Sequence, residues 1–390
     1  MPIVIETVQG RRALAEYIHL PAHLVGRREN WVPPIWRDER KFHDPATNPE
    51  LKECEVVRFF ARNRGILQGR IMGIIHHGYN GAHNEHTARF YQLDCVNDPA
   101  IAGSLLHAVE EWARNKGMDR IIGPFGLSDK DPQGLQVEGF EHLPVIATAT
   151  NPPYLPQLVE RAGFAPFVDC LVYRFDVPDV LPKSYHLIAE RVMRAQRLRR
   201  ATFRSRRELK PWIVPVLMLM NKTYHGLLGF TPLNQVQMHH LAAQYLPLLD
   251  PRFVILLVDE NDLPAAFVVA MPDMSEGIQR AGGYLFPFGF LHILAAMRRS
   301  SQLDLFLGAV RPDLQGMGVT AALCVQLMEV SRSCGMTAVD SHLVLETNVK
   351  MRAELERLNA KVQKRYRIYA RDLGEGNKGS SGGAHISTAQ

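Results

Sequence analysis

The sequence predicts a chain of two mixed α/β domains in tandem. Three observations carry this. Strand-type and helix-type apolar patterns alternate along most of the chain. The alternation occurs twice, in segments that align with one another. One strand-to-helix junction in the second copy bears closely spaced glycines, "RPDLQGMGVTAAL" (311–323). With 390 residues, 46% of them apolar and 22% charged, the chain has a globular composition and room for two or three domains.

The repeat is diverged but ordered. "LLHAVEEWARNKGM" (105–118) lines up with "LCVQLMEVSRSCGM" (323–336) at an offset of 218, matching Leu105 to Leu323, Glu111 to Glu329 and Arg114 to Arg332. "VERAGFAPFVDCLVY" (159–173) lines up with "LERLNAKVQKRYRIY" (355–369) at an offset of 196. The difference of 22 residues puts an insertion in the first half, and "GPFGLSDKDPQGLQVEGFEHLP" (123–144) has the Gly, Pro and Asp content of a long functional loop.

In the first half, "VVRFFARNRGILQGRIMGIIHH" reads as two strands and "ARFYQLDCV" as a third. A helix over 103–116, the strand "DRIIGP", a helix over 153–162 and the strand "VDCLVYRF" follow. In the second half, "RFVILLVDENDLPAAFVVAMP" (252–272) is a hairpin around an Asn-Asp turn. "LDLFLGAV" (303–310) is a strand, and apolar residues at 319, 322, 323, 327, 330 and 334 mark one face of a helix. "AVDSHLVL", a helix over 349–359 and "RYRIYAR" complete the copy. The expected division is 1–176, a basic linker over 177–210, a second domain over 211–373, and a Gly/Ser-rich disordered tail over 374–390.

The formal net charge is +5, yet "ERVMRAQRLRRATFRSRRELK" (190–210) alone carries eight Arg and one Lys against two Glu. Any anionic macromolecular partner is expected there, a solvated linker helix being the alternative. Aromatics are absent apart from Phe203 and no nucleic-acid motif accompanies it, so lipid head groups are expected rather than nucleic acid. The apolar stretch "LFPFGFLHILAAM" (285–297) is too short to span a bilayer, and fits either a packed connection or a lipid contact. The five cysteines are scattered without CxxC spacing, which points to reduced thiols and a cytoplasmic protein. The N-terminus lacks a signal-peptide core. His76, His77, His83 and His86 fall in a Gly/Asn-rich segment that reads as a turn, so no metal is expected.

A helix N-terminus offers unpaired N–H groups and a positive dipole end, and glycines let an anion approach them. Gln315, Gly316, Met317, Gly318, Val319 and Thr320 occupy such a junction. The order hairpin, strand, Gln-x-x-Gly loop, helix, strand, helix, strand resembles the GNAT acyltransferase family. There the loop reads Gln/Arg-x-x-Gly-x-Gly/Ala and holds the pyrophosphate of coenzyme A. Gln315 and Gly318 match, and Thr320 stands where Gly or Ala is usual. The resemblance implies acyl-coenzyme A as a substrate, touched by Val310, Gln315–Thr320 and Asn348. It covers about residues 45–373 as a tandem pair, yet Pro312 to Leu323 spans 11 residues where Pro99 to Leu105 spans 6. The first half lacks the loop, so one coenzyme site is expected.

"ENWVPP" (29–34), the 123–144 segment, "NPPYLPQLVERAGF" (151–164) and "KRYRIY" (364–369) resemble a bacterial tandem GNAT subset that includes ceramide synthases. That implies transfer of an acyl group to an amine acceptor, a lipid amine such as a sphingoid base. A small-amine or peptide acetyltransferase and a non-catalytic coenzyme-sensing protein are the alternatives. A long apolar pocket points to the first, a short polar cleft to the second, a blocked cradle to the third. The amine must lose a proton, for which Glu346 at the end of "SHLVLE" is the first candidate and Glu138 the second. Many GNAT enzymes use a tyrosine acid on the last helix. Counting from Asn348, Leu355 stands there instead, so the acid is either elsewhere, with Tyr366 and Tyr369 nearby, or unnecessary.

Overall fold

The computed structural model describes residues 3–24, 30–145, 148 and 150–374. The expected tail therefore falls outside the described residues from 375 onward. The strands, in chain order, are β1 (Val4–Thr7), β2 (Cys54–Asn63), β3 (Ile66–His76), β4 (Thr87–Cys95), β5 (Arg120–Gly123), β6 (Leu135–Glu138), β7 (Ala165–Asp176), β8 (Arg199–Ala201), β9 (Val254–Val258), β10 (Pro264–Pro272), β11 (Gln302–Val310), β12 (Ala338–Ser341), β13 (Val344–Leu345) and β14 (Lys361–Asp372). They form one mixed sheet in the order β1-β2-β3-β4-β5-β14-β7-β12-β11-β10-β9-β8, with β6 added at β14 and β13 at β7.

Each half builds an antiparallel meander, β2-β3-β4 or β9-β10-β11. A crossover helix then returns the chain parallel to the last of the three. Pro99–Asn115 joins β4 to β5, and Val319–Ser333 joins β11 to β12. "VILLV" is apolar throughout because β9 is covered on both faces. Leu257, Ala266, Leu303 and Val339 pack under helices Lys183–Ala195 and Val319–Ser333. Leu256, Phe267 and Val269 pack under Ile213–Tyr224 on the opposite face. In the first half Pro99–Asn115 and Leu155–Arg161 cover one face, and Gly10–Leu24 brings Tyr17 to the other.

The final strands are exchanged between the halves. β7 pairs with β12, β14 pairs with β5, and the two pair with each other from Lys361↔Arg174 to Ala370↔Ala165. The segments that the repeat aligns, 159–173 and 355–369, thus meet at the centre of the sheet. A cut at 176 or 211 would remove a strand from each half, so 1–176 and 211–373 are not separate sheets.

Three local expectations change. The 123–144 insertion contains β6, which lies along β14 with Gln136 opposite Tyr366. Gly139 permits this: its φ is +77°, and a Cβ there would sit 2.1 Å from the Gln363 carbonyl oxygen. The histidine segment is a short helix, His77–His83, started by the His76 ring, which accepts the Tyr79 N–H. The basic stretch is not a linker. Lys183–Ala195 is a packed helix, β8 is an edge strand on β9, and Arg206–Leu209 is a helical turn. Buried Leu198 and Ala201 anchor it, while Arg197 pairs with Glu260 at 2.8 Å and Arg199 with Asp262.

Candidate functional site

β11 and β12 run parallel only over Gln302–Leu305 and Ala338–Ser341. The His342 N–H closes the last rung on the Leu305 carbonyl at 3.1 Å, and the strands then separate. On its other side β11 slips register against β10 between Val269 and Ala270, leaving Phe306 as an extra residue in a bulge. From there to Val310 one edge of β11 is open. The Tyr224 hydroxyl donates to the Gly308 carbonyl at 2.8 Å, and Gln315 Nε2 donates to the Val310 carbonyl at 3.1 Å. A strand edge of this kind can pair with an amide-bearing ligand.

The edge leads into the glycine loop. Gly316 and Gly318 have φ of +77° and +94°, conformations that favour glycine. Leu314, Gln315 and Met317 use their N–H groups in turn bonds, and the Ala321 N–H returns to the Gly318 carbonyl. Val319 and Thr320 begin the helix, whose start no side chain caps. Their N–H groups stand at its open, positive end. Met317 and Thr320 are exposed. Ile188 crowds the loop instead: a Cβ on Gly318 would lie 2.5 Å from its Cγ2. The matching helix of the first half differs. Asp98 caps Pro99–Asn115 by accepting the Ala100 N–H at 2.8 Å, placing a carboxylate where an anion would bind. Asn348, expected at the coenzyme, caps its own helix by accepting the Met351 N–H at 3.2 Å.

The expected catalytic residues divide between two places. Glu346 accepts the Asp169 N–H at 2.9 Å, and Arg365 bridges Asp169 at 3.0 Å and Glu138 at 3.1 Å. Arg367 grips both Asp169 oxygens. Burial works to raise the Asp169 carboxyl, but these two arginines hold it below its ordinary value. Glu138 thus joins the Asp169 ion-pair network at the β7–β14 joint, while Glu346 meets it only through the Asp169 N–H. Tyr366 is fully buried among Cys170, Val172 and Ile368, and burial raises its phenol against the influence of Thr148. Tyr369 is buried in the first-half core and donates to Glu160 at 3.0 Å.

Sequence reasoning missed a buried carboxylate pair beside Tyr366. Asp304 and Asp340 are register partners one rung before β11 and β12 separate. Gln302 donates to Asp304 at 2.8 Å, and Lys364 Nζ lies 3.6 Å from Asp340, each of that ion pair 1% exposed. Burial, with Asp273 and Asp340 alongside, raises Asp304 well above the usual carboxylate range. Burial pushes Asp340 up to about 6 while Lys364 pulls the other way. A lone Asp inside each of two apolar strands was the available signal. Tyr224 left none, in a helix of ordinary composition. Among the described residues no group of His, Cys, Asp or Glu could hold a metal.

An apolar cavity adjoins the bulge. It lies between the β9–β11 face and helices Ile213–Tyr224 and Gln235–Tyr245, walled by Trp212, Val216, Leu241, Tyr245, Leu249 and Phe306, a cavity of about 90 Å³ that opens to solvent. The Phe306 ring stacks obliquely on Tyr245 at 4.8 Å and meets His342 edge-on at 5.8 Å. The bulge residue therefore stands between the cavity and the strand split.

A split parallel pair, a bulged strand and a glycine loop at the following helix, set in a duplicated chain, define the class: the fold is that of the tandem GNAT acyltransferases. The chain superposes on a tandem GNAT protein from the clavulanic acid biosynthesis pathway with a TM-score of 0.53 and 13% identity, over 96% of this chain and 100% of that one. Nearer in sequence is Protein YghO of Escherichia coli (strain K12), 26% identical over 380 residues, 95% of each chain. The bacterial ceramide synthase of Caulobacter vibrioides is 27% identical over 369 residues, 92% of this chain and 95% of that protein. No family model matches the chain.

Proposed function

We propose that the chain is an acyl-CoA-dependent N-acyltransferase that moves a long acyl group onto a lipid amine. The apolar cavity at the β11 bulge carries this reading, because a short-chain acetyltransferase has no use for it. The similarity to a protein named as a ceramide synthase supports the lipid acceptor. Acyl-coenzyme A lies with its pyrophosphate at Gln315–Thr320 and its amide-bearing arm along the open edge from Val310 to Phe306, displacing the Tyr224 hydroxyl from Gly308. Its acyl chain enters the cavity past Phe306. The first half, with the Asp98 cap in place of a loop, covers the acceptor side.

The amine nitrogen attacks the thioester carbonyl carbon. The carbon–sulfur bond breaks, coenzyme A leaves as a thiolate, and the amine gives up a proton. Asp340 suits the base role better than Glu346 or Glu138: its carboxyl is raised toward neutrality, whereas Glu138 is paired with Arg365 and Glu346 is tied to the Asp169 N–H. A backbone N–H on the open β11 edge supplies the oxyanion donor. The thiol leaves near its ordinary pKa of about 8.5 and does not require an acid. The test is thiol release from palmitoyl-CoA with sphinganine, a short polyamine and a lysine peptide. Release with sphinganine in preference to the soluble amines supports the reading. Release with only the soluble amines contradicts the acceptor, and release with none contradicts the enzyme.

A further inference from the structure

The connection between β10 and β11 carries the most concentrated exposed apolar surface among the described residues. Tyr284, Phe286, Phe288, Phe290, Leu291 and Leu294 are all exposed, Phe286 and Phe288 at 68% each. Among the described residues they are six of the seventeen exposed large apolar side chains. Single exposed residues need no explanation, but a contiguous aromatic patch does. The inner side of the same element is ordinary core: Ile293 packs with Met271 and Ile278, and Leu285 and Met297 share that cluster with Leu249 and Phe306. Leu249 and Phe306 also line the apolar cavity, so the element that bears the patch packs behind two residues of the cavity wall.

Charge decides what covers it. From Gly277 to Leu303 the chain has no Asp or Glu, but it has Arg280, Arg298 and Arg299. Arg298 and Arg299 close helix Gly289–Arg299, are exposed, and have no acidic partner among the described residues. A symmetric contact with a second copy would bring these arginines together with no carboxylate in the segment to neutralise them. Anionic head groups would neutralise them, and the aromatic rings suit the boundary between head groups and acyl chains. No helix among the described residues is long and apolar enough to cross a membrane, so contact by this route is peripheral.

We propose that residues 284–299 dock the protein on an anionic bilayer, with Phe286 and Phe288 inserted at the head-group boundary and Arg298 and Arg299 on lipid phosphates. The 190–210 segment is the weaker candidate, because Arg197 and Arg199 are already paired with the hairpin tip. The docking stands on the patch itself. Its use, presenting a membrane lipid amine to the cavity, rests on the proposed function.

The test is co-sedimentation of the full chain with vesicles of phosphatidylcholine alone or with phosphatidylglycerol, alongside thiol release with a water-soluble amine. Burial of each Phe side chain corresponds to about tenfold in partitioning at this exposure. F286S/F288S should therefore weaken vesicle binding about a hundredfold, and R298Q/R299Q several-fold, with wild-type binding weakened by salt. R197Q/R199Q should bind as wild type does, and soluble-amine turnover should be unchanged in all three variants. Vesicle binding indifferent to F286S/F288S overturns the proposal, as does a wild-type dimer that F286S/F288S renders monomeric. Vesicle binding by a chain without transferase activity leaves the docking standing and removes the proposed function.

Discussion

Filling the cavity gives a graded prediction. Ala242 lies on its wall, in helix Gln235–Tyr245. Replacing it by Phe puts a ring into space that a long acyl chain would use. The ring displaces roughly four methylenes, and each buried methylene contributes about 0.8 kcal/mol, so a long chain loses about 3 kcal/mol of binding. That is on the order of a hundredfold in kcat/KM for palmitoyl-CoA. Acetyl-CoA, with no chain to place, should lose almost nothing. The assay is thiol release with acetyl-, hexanoyl- and palmitoyl-CoA at a fixed amine concentration, with the melting temperature measured in parallel to confirm folding. The selective loss should grow with chain length. Equal losses for acetyl- and palmitoyl-CoA in a folded variant, or none for palmitoyl-CoA, would refute the assignment of the cavity to the acyl chain.

Three further outcomes follow from the same geometry. Gly318→Val should weaken coenzyme A binding at least tenfold in calorimetric titration. Its Cβ meets Ile188 and its φ of +94° suits glycine alone, so the loop must shift; unchanged affinity would remove the cradle. If Asp340 is the base, kcat/KM should rise as pH rises through about 6, since only the deprotonated carboxylate accepts the amine proton. Asp340→Asn should lower kcat by a hundredfold or more and abolish that limb, whereas a limb retained in the variant assigns the base elsewhere. Tyr224→Phe removes the hydroxyl from Gly308 and should tighten coenzyme A binding, because no hydroxyl then competes for the Gly308 carbonyl; weaker binding would make Tyr224 a ligand rather than a competitor.

Much of the architecture was legible because it is local. The hairpin over 252–272 announces itself by two apolar runs around a turn, and β9 and β10 stand there. The glycine loop is a spacing of residues along the chain, and the positive φ angles at 316 and 318 are its direct consequence. The exchange of β7 and β14 was not legible. Periodicity gives a strand and its faces but not its neighbour, and two aligned repeats are compatible with closed or exchanged halves. "AVDSHLVL" broke into β12 and β13 where the chain leaves the strand split, a tertiary cause with no local signature. Asp304 and Asp340 could have been noticed, since a carboxylate inside an apolar strand must be buried or functional. The apolar content of 284–297 was plain, but hydrophobicity alone does not distinguish a covered face from an open one.

Hydrogen exchange with palmitoyl-CoA tests most directly whether an acyl-CoA is held at the second-half loop with its chain in the adjoining cavity. The ligand should protect backbone amides over 308–325 and slow exchange in helices Ile213–Tyr224 and Gln235–Tyr245. It should leave 96–106, where Asp98 caps the helix, unchanged. Coenzyme A without an acyl chain should protect the first region only. Equal protection at 96–106, or protection of the two helices that is identical with and without the acyl chain, would contradict the account.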